Sequence, residues 1–188
     1  MRKTMLTSMA AVALAVTALS ATAQMGEMKD PTVGGAAMYP TKTIVENAVN
    51  SPIHTTLVAA VKAAGLVDTL NSTGPFTVFA PTNDAFAKLP AGTVDTLVKP
   101  ENKATLTKIL TYHVVPGRIS AKDIAAGIKA GGGKYEMTTV QGGKLTATMS
   151  GKKIMLTDEK GGMATITTTN VFQSNGVIDV IDTVLMPS

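Results

Sequence analysis

The chain has 188 residues and no cysteine, and its seventeen Lys and Arg stand against thirteen Asp and Glu. Disulfides and a lipid-modified N-terminal cysteine are thereby excluded, so stability has to come from packing. Two of the basic residues are Arg2 and Lys3, and the excess left without them is too small to suggest a nucleic-acid partner, which needs several cations gathered against phosphates.

Arg2 and Lys3 open the chain, residues 9–19 carry no charge, and Ala21-Thr22-Ala23 follows. That order predicts a secretory signal peptide over 1–23, cut between Ala23 and Gln24, because the apolar run is well short of the roughly 20 residues that cross a bilayer. No later segment reads as membrane-spanning, so the mature protein is expected outside the cytoplasm, periplasmic or extracellular. Residues 24–40 hold two Pro, three Gly and three Met without helical or strand period, and read as a flexible lead-in. Met25, Met28 and Met38 are the residue type that takes Cu(I), an alternative to a plain disordered tail. One domain is expected over 41–188, since a chain of that length buries enough surface for a single core.

From 43 to 98 the apolar residues fall at helical spacing, as in Ile44 with Ala48, Leu57 with Val61, Phe86 with Leu89, and Val94 with Leu97 and Val98. Gly74-Pro75 interrupts this run, and the β-formers Phe76, Thr77, Val78 and Phe79 predict one strand among helices. Pro100 and Glu101 open a further helix, on which Leu106, Ile109, Leu110 and His113 form an apolar stripe. A short helical segment at 120–128 and Gly131-Gly132-Gly133 lead to strands at 135–140, 144–149, 153–157, 163–172 and 177–185. Gly142-Gly143, Ser150-Gly151, Gly161-Gly162 and Asn175-Gly176 separate them as hairpin turns, so the C-terminal half reads as an antiparallel meander. Its last strand is apolar on both sides and is expected to be central, with helices over one face.

Tests for catalytic machinery fail one after another. With His54 and His113 as the two histidines there is no HExxH and no zinc set, and neither a nucleophile elbow, a phosphate loop nor a dinucleotide fingerprint is present. No cofactor or metal is called for. Asp179 and Asp182 lie three apart on a strand and face opposite ways, which places each at an edge or beside a Lys. Asp158-Glu159-Lys160 reads as a solvated hairpin tip, and His54 as part of an exposed first helical turn. His113 beside Tyr112 reads either as a neutral imidazole donating to a backbone carbonyl or as part of a binding surface.

Three stretches carry a resemblance: TVFAPTNDAF at 77–86, TYHVVPG at 111–117 and SNGVIDVIDTVLMP at 174–187. In that order they are similar to the two conserved motifs and the Tyr-His motif of the fasciclin (FAS1) domain family, and the likeness runs from about residue 41 to the C-terminus. It implies an α+β fold, a wedge-shaped antiparallel β-sandwich in the C-terminal half packed with helices mainly from the N-terminal half. It also implies a secreted or surface protein that attaches to a surface protein, matrix or polysaccharide and is not an enzyme.

Within the motifs, Thr77, Val78, Phe79, Ala80 and Pro81 read as a buried strand. Thr82 or Asn83 would cap the helix carrying Phe86, and Asn175-Gly176 would turn the chain into Val177 and Ile178. The family's integrin-contacting positions correspond to Tyr112 and His113 and to Asn170 and Val171, where the usual Asp-Ile has lost its carboxylate. Asp179 stands where the second motif often has His. One domain can bind but cannot bridge, so attachment would need self-association or a second partner. The competing expectation is a periplasmic or extracellular small-ligand-binding or hydrolytic protein, using the Tyr112-His113 region beside an apolar cleft.

Overall fold

The computed structural model describes residues 31–188. The expected signal peptide, together with Met25 and Met28, lies outside the described residues.

The chain enters through a small hairpin, β1 (Thr32–Val33) with β2 (Ala36–Ala37). Val33 and Met38 are buried in the same apolar cluster as Ile44, Leu57 and Leu70. The expectation of a loose segment through residue 40 is therefore corrected for 31–40, and Met38, at 2% exposure, is a core residue and not a metal ligand. Helices α1 (Ile44–Asn50), α2 (Thr55–Ala64) and α3 (Val67–Asn71) follow. Thr43 starts α1 with a reciprocal capping box to Glu46, and Gly65 ends α2 in the left-handed conformation that only glycine adopts without strain.

Strand β3 (Phe76–Pro81) is then followed by α4 (Asn83–Ala87), α5 (Thr93–Leu97), a 3-10 turn at Pro100–Asn102, α6 (Lys103–Tyr112), β4 (Val114–Pro116) and α7 (Ala121–Ala130). The meander comprises β5 (Lys134–Thr138), β6 (Lys144–Ser150), β7 (Lys153–Thr157), β8 (Met163–Gln173) and β9 (Gly176–Ile181). These strands and the two earlier ones form a single sheet in the order β4-β3-β9-β8-β7-β6-β5. Every pairing is antiparallel except β3 with β9, where Phe76 faces Gly176 and Pro81 faces Ile181 in parallel register. The sheet curls until its ends meet, and the Val140 N–H donates to the Val114 carbonyl at 2.7 Å.

Two apolar clusters result. One lies between α1–α6 and the β3–β9 surface, with Val78, Phe86, Leu106 and Ile178. The other fills the curl under α7, with Phe79, Tyr112, Ile124, Leu145 and Ile181. Alternate residues of β3 thus feed different cores, which is why that strand is apolar on both faces.

β9 stops at Ile181, short of the expected 185. The reason is that side chains take over the backbone donors beyond it: His113 accepts from Leu185 N at 3.0 Å and Asp158 from Met186 N at 2.9 Å. Asp158, 8% exposed, also accepts from the amides of Lys160 and Gly162, so it is a buried anchor, while Glu159, Lys160, Gly161 and Gly162 form the exposed turn expected.

Candidate functional site

Tyr112 ends α6 and His113 follows it, their rings edge-on with centroids 6.4 Å apart. Tyr112 is fully enclosed, and its hydroxyl donates to the Lys144 carbonyl at 2.6 Å while accepting from Glu159 N at 3.2 Å. Burial pushes the phenol up to about 12, so it stays a protonated donor. The His113 Nε2 accepts from Leu185 N, which puts the proton on Nδ1, and Nδ1 donates to the Ile109 carbonyl at 2.8 Å. Burial pushes this imidazole down to about 4. The pair fastens the β6 strand and the C-terminal segment to the end of α6, and both rings are neutral at neutral pH.

Asn170 sits on a bulged stretch of β8 with φ 59°. Its N–H donates to Asp179 Oδ1 at 2.8 Å, and its own Oδ1 accepts from Ala121 N at 2.8 Å, adding to the Ser120 cap at the start of α7. Val171, next to it, is fully buried. Of the four positions expected at an interaction surface, Tyr112, His113 and Val171 are enclosed and can touch no partner in this conformation. Asn170 alone is half-exposed, and its side chain is engaged with α7.

Asp179 overturns its expectation more sharply. It is fully buried on β9 between β3 and β8, at no edge and beside no lysine; Oδ2 has no hydrogen-bond partner among the described residues. Burial raises its carboxyl to about 6, against the opposing pull of the Asn170 amide. Asp182, in contrast, lies 4.0 Å from Lys88. His54 was expected in an exposed turn and is 3% exposed. Its Nδ1 lies 2.8 Å from Ser51 Oγ, whereas Nε2 makes no hydrogen bond of acceptable geometry. Burial lowers this imidazole's pKa, and the nearby Ala80 backbone opposes the shift.

The motif residues around these groups are mostly enclosed. Thr77 Oγ1 donates to the Gly117 carbonyl and accepts from Ile119 N, while Val78, Phe79, Ala80 and Pro81 are buried. Thr82 caps α4 by accepting from Ala85 N, and Phe86 buries the first turn. Asn83 serves another helix. Its Oδ1 accepts from Thr56 N at 3.0 Å and caps α2 from across the chain, because His54 at the N-cap offers no side-chain bond. Asn175 accepts from Ile44 N and donates to the Leu70 and Ser72 carbonyls. Gly176 is the first residue of β9, followed by the buried Val177 and Ile178; a Cβ on it would lie 2.1 Å from the Phe76 carbonyl oxygen.

Sequence reasoning missed a trough beside α7. It has a volume of about 470 Å³ and is lined by Lys122, Lys152 and Lys153 with Thr167, Thr169 and Met149. No acidic side chain lines it, and none of the three lysines forms an ion pair among the described residues. The doublet Lys152-Lys153 was visible in the sequence, but its meeting with Lys122 depends on α7 lying across β6–β8. Among the described residues no cluster of His, Asp and Glu could hold a metal, and no helix is long and apolar enough to cross a membrane.

Known proteins resemble this chain over most of its length. Protein sll1483 from Synechocystis is 49% identical over 170 residues, covering 88% of this chain and 87% of its own. Immunogenic protein MPB70 of Mycobacterium bovis is 42% identical over 74% of this chain and 66% of its own, and the cell surface glycolipoprotein MPB83 is 39% identical over 82% and 64%. A solved FAS1 domain pair from the insect cell adhesion molecule fasciclin I superposes with a TM-score of 0.69 at 20% identity, covering 78% of this chain and 51% of that one. That likeness assigns the α+β FAS1 fold. The Fasciclin domain model matches residues 52–187, and the chain therefore belongs to the fasciclin (FAS1) domain family.

Proposed function

We propose that the protein works outside the cytoplasm as a non-catalytic attachment module that docks an acidic polysaccharide in the α7 trough. The observation that carries this reading is the convergence of Lys122, Lys152 and Lys153 around an open trough with no acid among its lining residues. Such a cluster attracts a polyanion through several weak, salt-screened contacts, and Thr167 and Thr169 add neutral hydrogen-bonding groups suited to sugar hydroxyls. Two further points support it. The Tyr-His pair is spent on backbone groups, so it brings no free nucleophile or base to a substrate. Relatives carry names that place them at cell surfaces or in adhesion.

The test is binding of alginate, with neutral dextran as control, to the wild type and to a Lys122→Glu, Lys152→Glu, Lys153→Glu variant. Alginate should bind the wild type, weaken as salt is raised from 0.05 to 0.5 M by roughly the loss expected for screened surface charges, and fail to bind the variant while its melting curve is unchanged. Equal binding of dextran, or an unaffected triple variant, would remove the acidic-polymer reading and leave a protein partner on another face. Light scattering then decides whether bridging comes from self-association.

A further inference from the structure

Helices α1, α2, α3 and α6 do not close completely over β3. Between them lies an apolar cavity, lined among others by Leu57, Val61, Leu70, Val78 and Leu110, in which the space open to the centres of water-sized spheres is about 60 Å³. On that measure a single water needs roughly 10 to 15 Å³, and it also needs 2 to 4 polar partners. The space exceeds one water several times over, but the polar partners are missing. His113 reaches the lining with both ring nitrogens already bonded, the half-buried Thr111 donates its hydroxyl to the Thr107 carbonyl of its own helix, and Lys62 and Thr69 are exposed side chains at the margin.

His54 is the exception. It belongs to the lining, is 3% exposed and spends Nδ1 on Ser51, and although the Ala80 backbone is near, Nε2 makes no hydrogen bond of acceptable geometry among the described residues. An enclosed polar atom in an apolar wall is a recognition element awaiting one complementary group. A charged ligand head is disfavoured, since no buried opposite charge lines the cavity. A hydroxyl matches either tautomer of the ring, and a carbonyl matches the one that carries the proton on Nε2.

We infer that this cavity binds a small molecule with an apolar body and a single neutral hydrogen-bonding group, a hydroxyl or carbonyl, which is held by His54. The site is separate from the lysine trough, with which it shares no lining residue, and from the Tyr112 hydroxyl. It needs neither the docking of a polymer nor a reaction.

The experiment is a titration of the purified protein, with methyl-labelled Leu and Val and ¹⁵N-labelled His, with 1-hexanol and with hexane. Both should shift the methyl signals of Leu57, Val61, Leu70, Val78 and Leu110, and hexanol alone should move the His54 Nε2 resonance. In His54→Phe the ratio of hexanol to hexane affinity should fall about tenfold, the loss of one buried hydrogen bond, and Val61→Phe, which fills the space, should block both. Absence of methyl shifts with either probe would overturn the inference. So would a His54 Nε2 signal that ignores hexanol, and this readout stands on the wild type even if His54→Phe fails to fold. Alginate binding that survives in Val61→Phe would separate this site's outcome from that of the trough.

Discussion

Phe79 is enclosed on all sides in the cluster under α7, while its neighbours Val78 and Ala80 face the helices. Truncating it to Ala should cost roughly 3 to 5 kcal/mol, as for other buried aromatics, read as a lower midpoint in urea; an unchanged midpoint would contradict the enclosure. Asp179 makes a pH prediction. Its carboxyl is raised from 3.8 to about 6 in the fold, so its contribution is fully present below pH 3.8 and is lost as pH climbs through about 6. His113 runs the other way: lowered from 6.5 to about 4, its contribution is present above pH 6.5 and is lost as pH falls through about 4. Asp179→Asn should therefore stabilise the protein by about 2 to 3 kcal/mol at pH 8 and change little at pH 3.5. Denaturant curves at the two pH values check this, and a gain of the same size at both would refute the raised carboxyl.

Among the elements, α2 shows how a helix start can be completed from far away. Its N-cap residue, His54, makes no capping bond, and Asn83, at the start of α4, supplies the acceptor for Thr56 N. Asn83→Ala should lower stability by about 1 kcal/mol, with amide exchange rising first at Thr55 and Thr56; uniform exchange along α2 would argue against a local cap. The same case marks what the sequence could reveal. Hairpins of the meander were legible because glycine pairs and period-2 alternation are local signals, and the α6 stripe was legible for the same reason. His54 and Asp179 were misplaced because β3, distant from each in the chain, supplies part of the surroundings that bury both. Asp179 did leave a trace, a carboxylate inside the apolar run Val177-Ile178-Asp179-Val180-Ile181, read there as an edge position or one beside a Lys. The lysine trough left less, since four elements, α7 and β6 to β8, assemble it.

At the level of the whole molecule, β3 contributes to both apolar clusters, and β9 separates them while contributing Ile178 to one and Ile181 to the other. Neither cluster can dissolve without the strands that the other needs. Unfolding should accordingly be a single transition, with far-ultraviolet signal from the helices and near-ultraviolet signal from Tyr112 and Tyr135 changing at the same temperature. Two separated midpoints would show that the clusters melt independently.

The parallel join of β3 to β9 sets residues about a hundred positions apart side by side, Phe76 against Gly176. A polypeptide emerging from the ribosome therefore cannot zip its central seam until nearly its whole length has been synthesised. For the exported protein proposed above, this delay would keep the precursor open during passage through a translocation pore, with closure on the far side of the membrane.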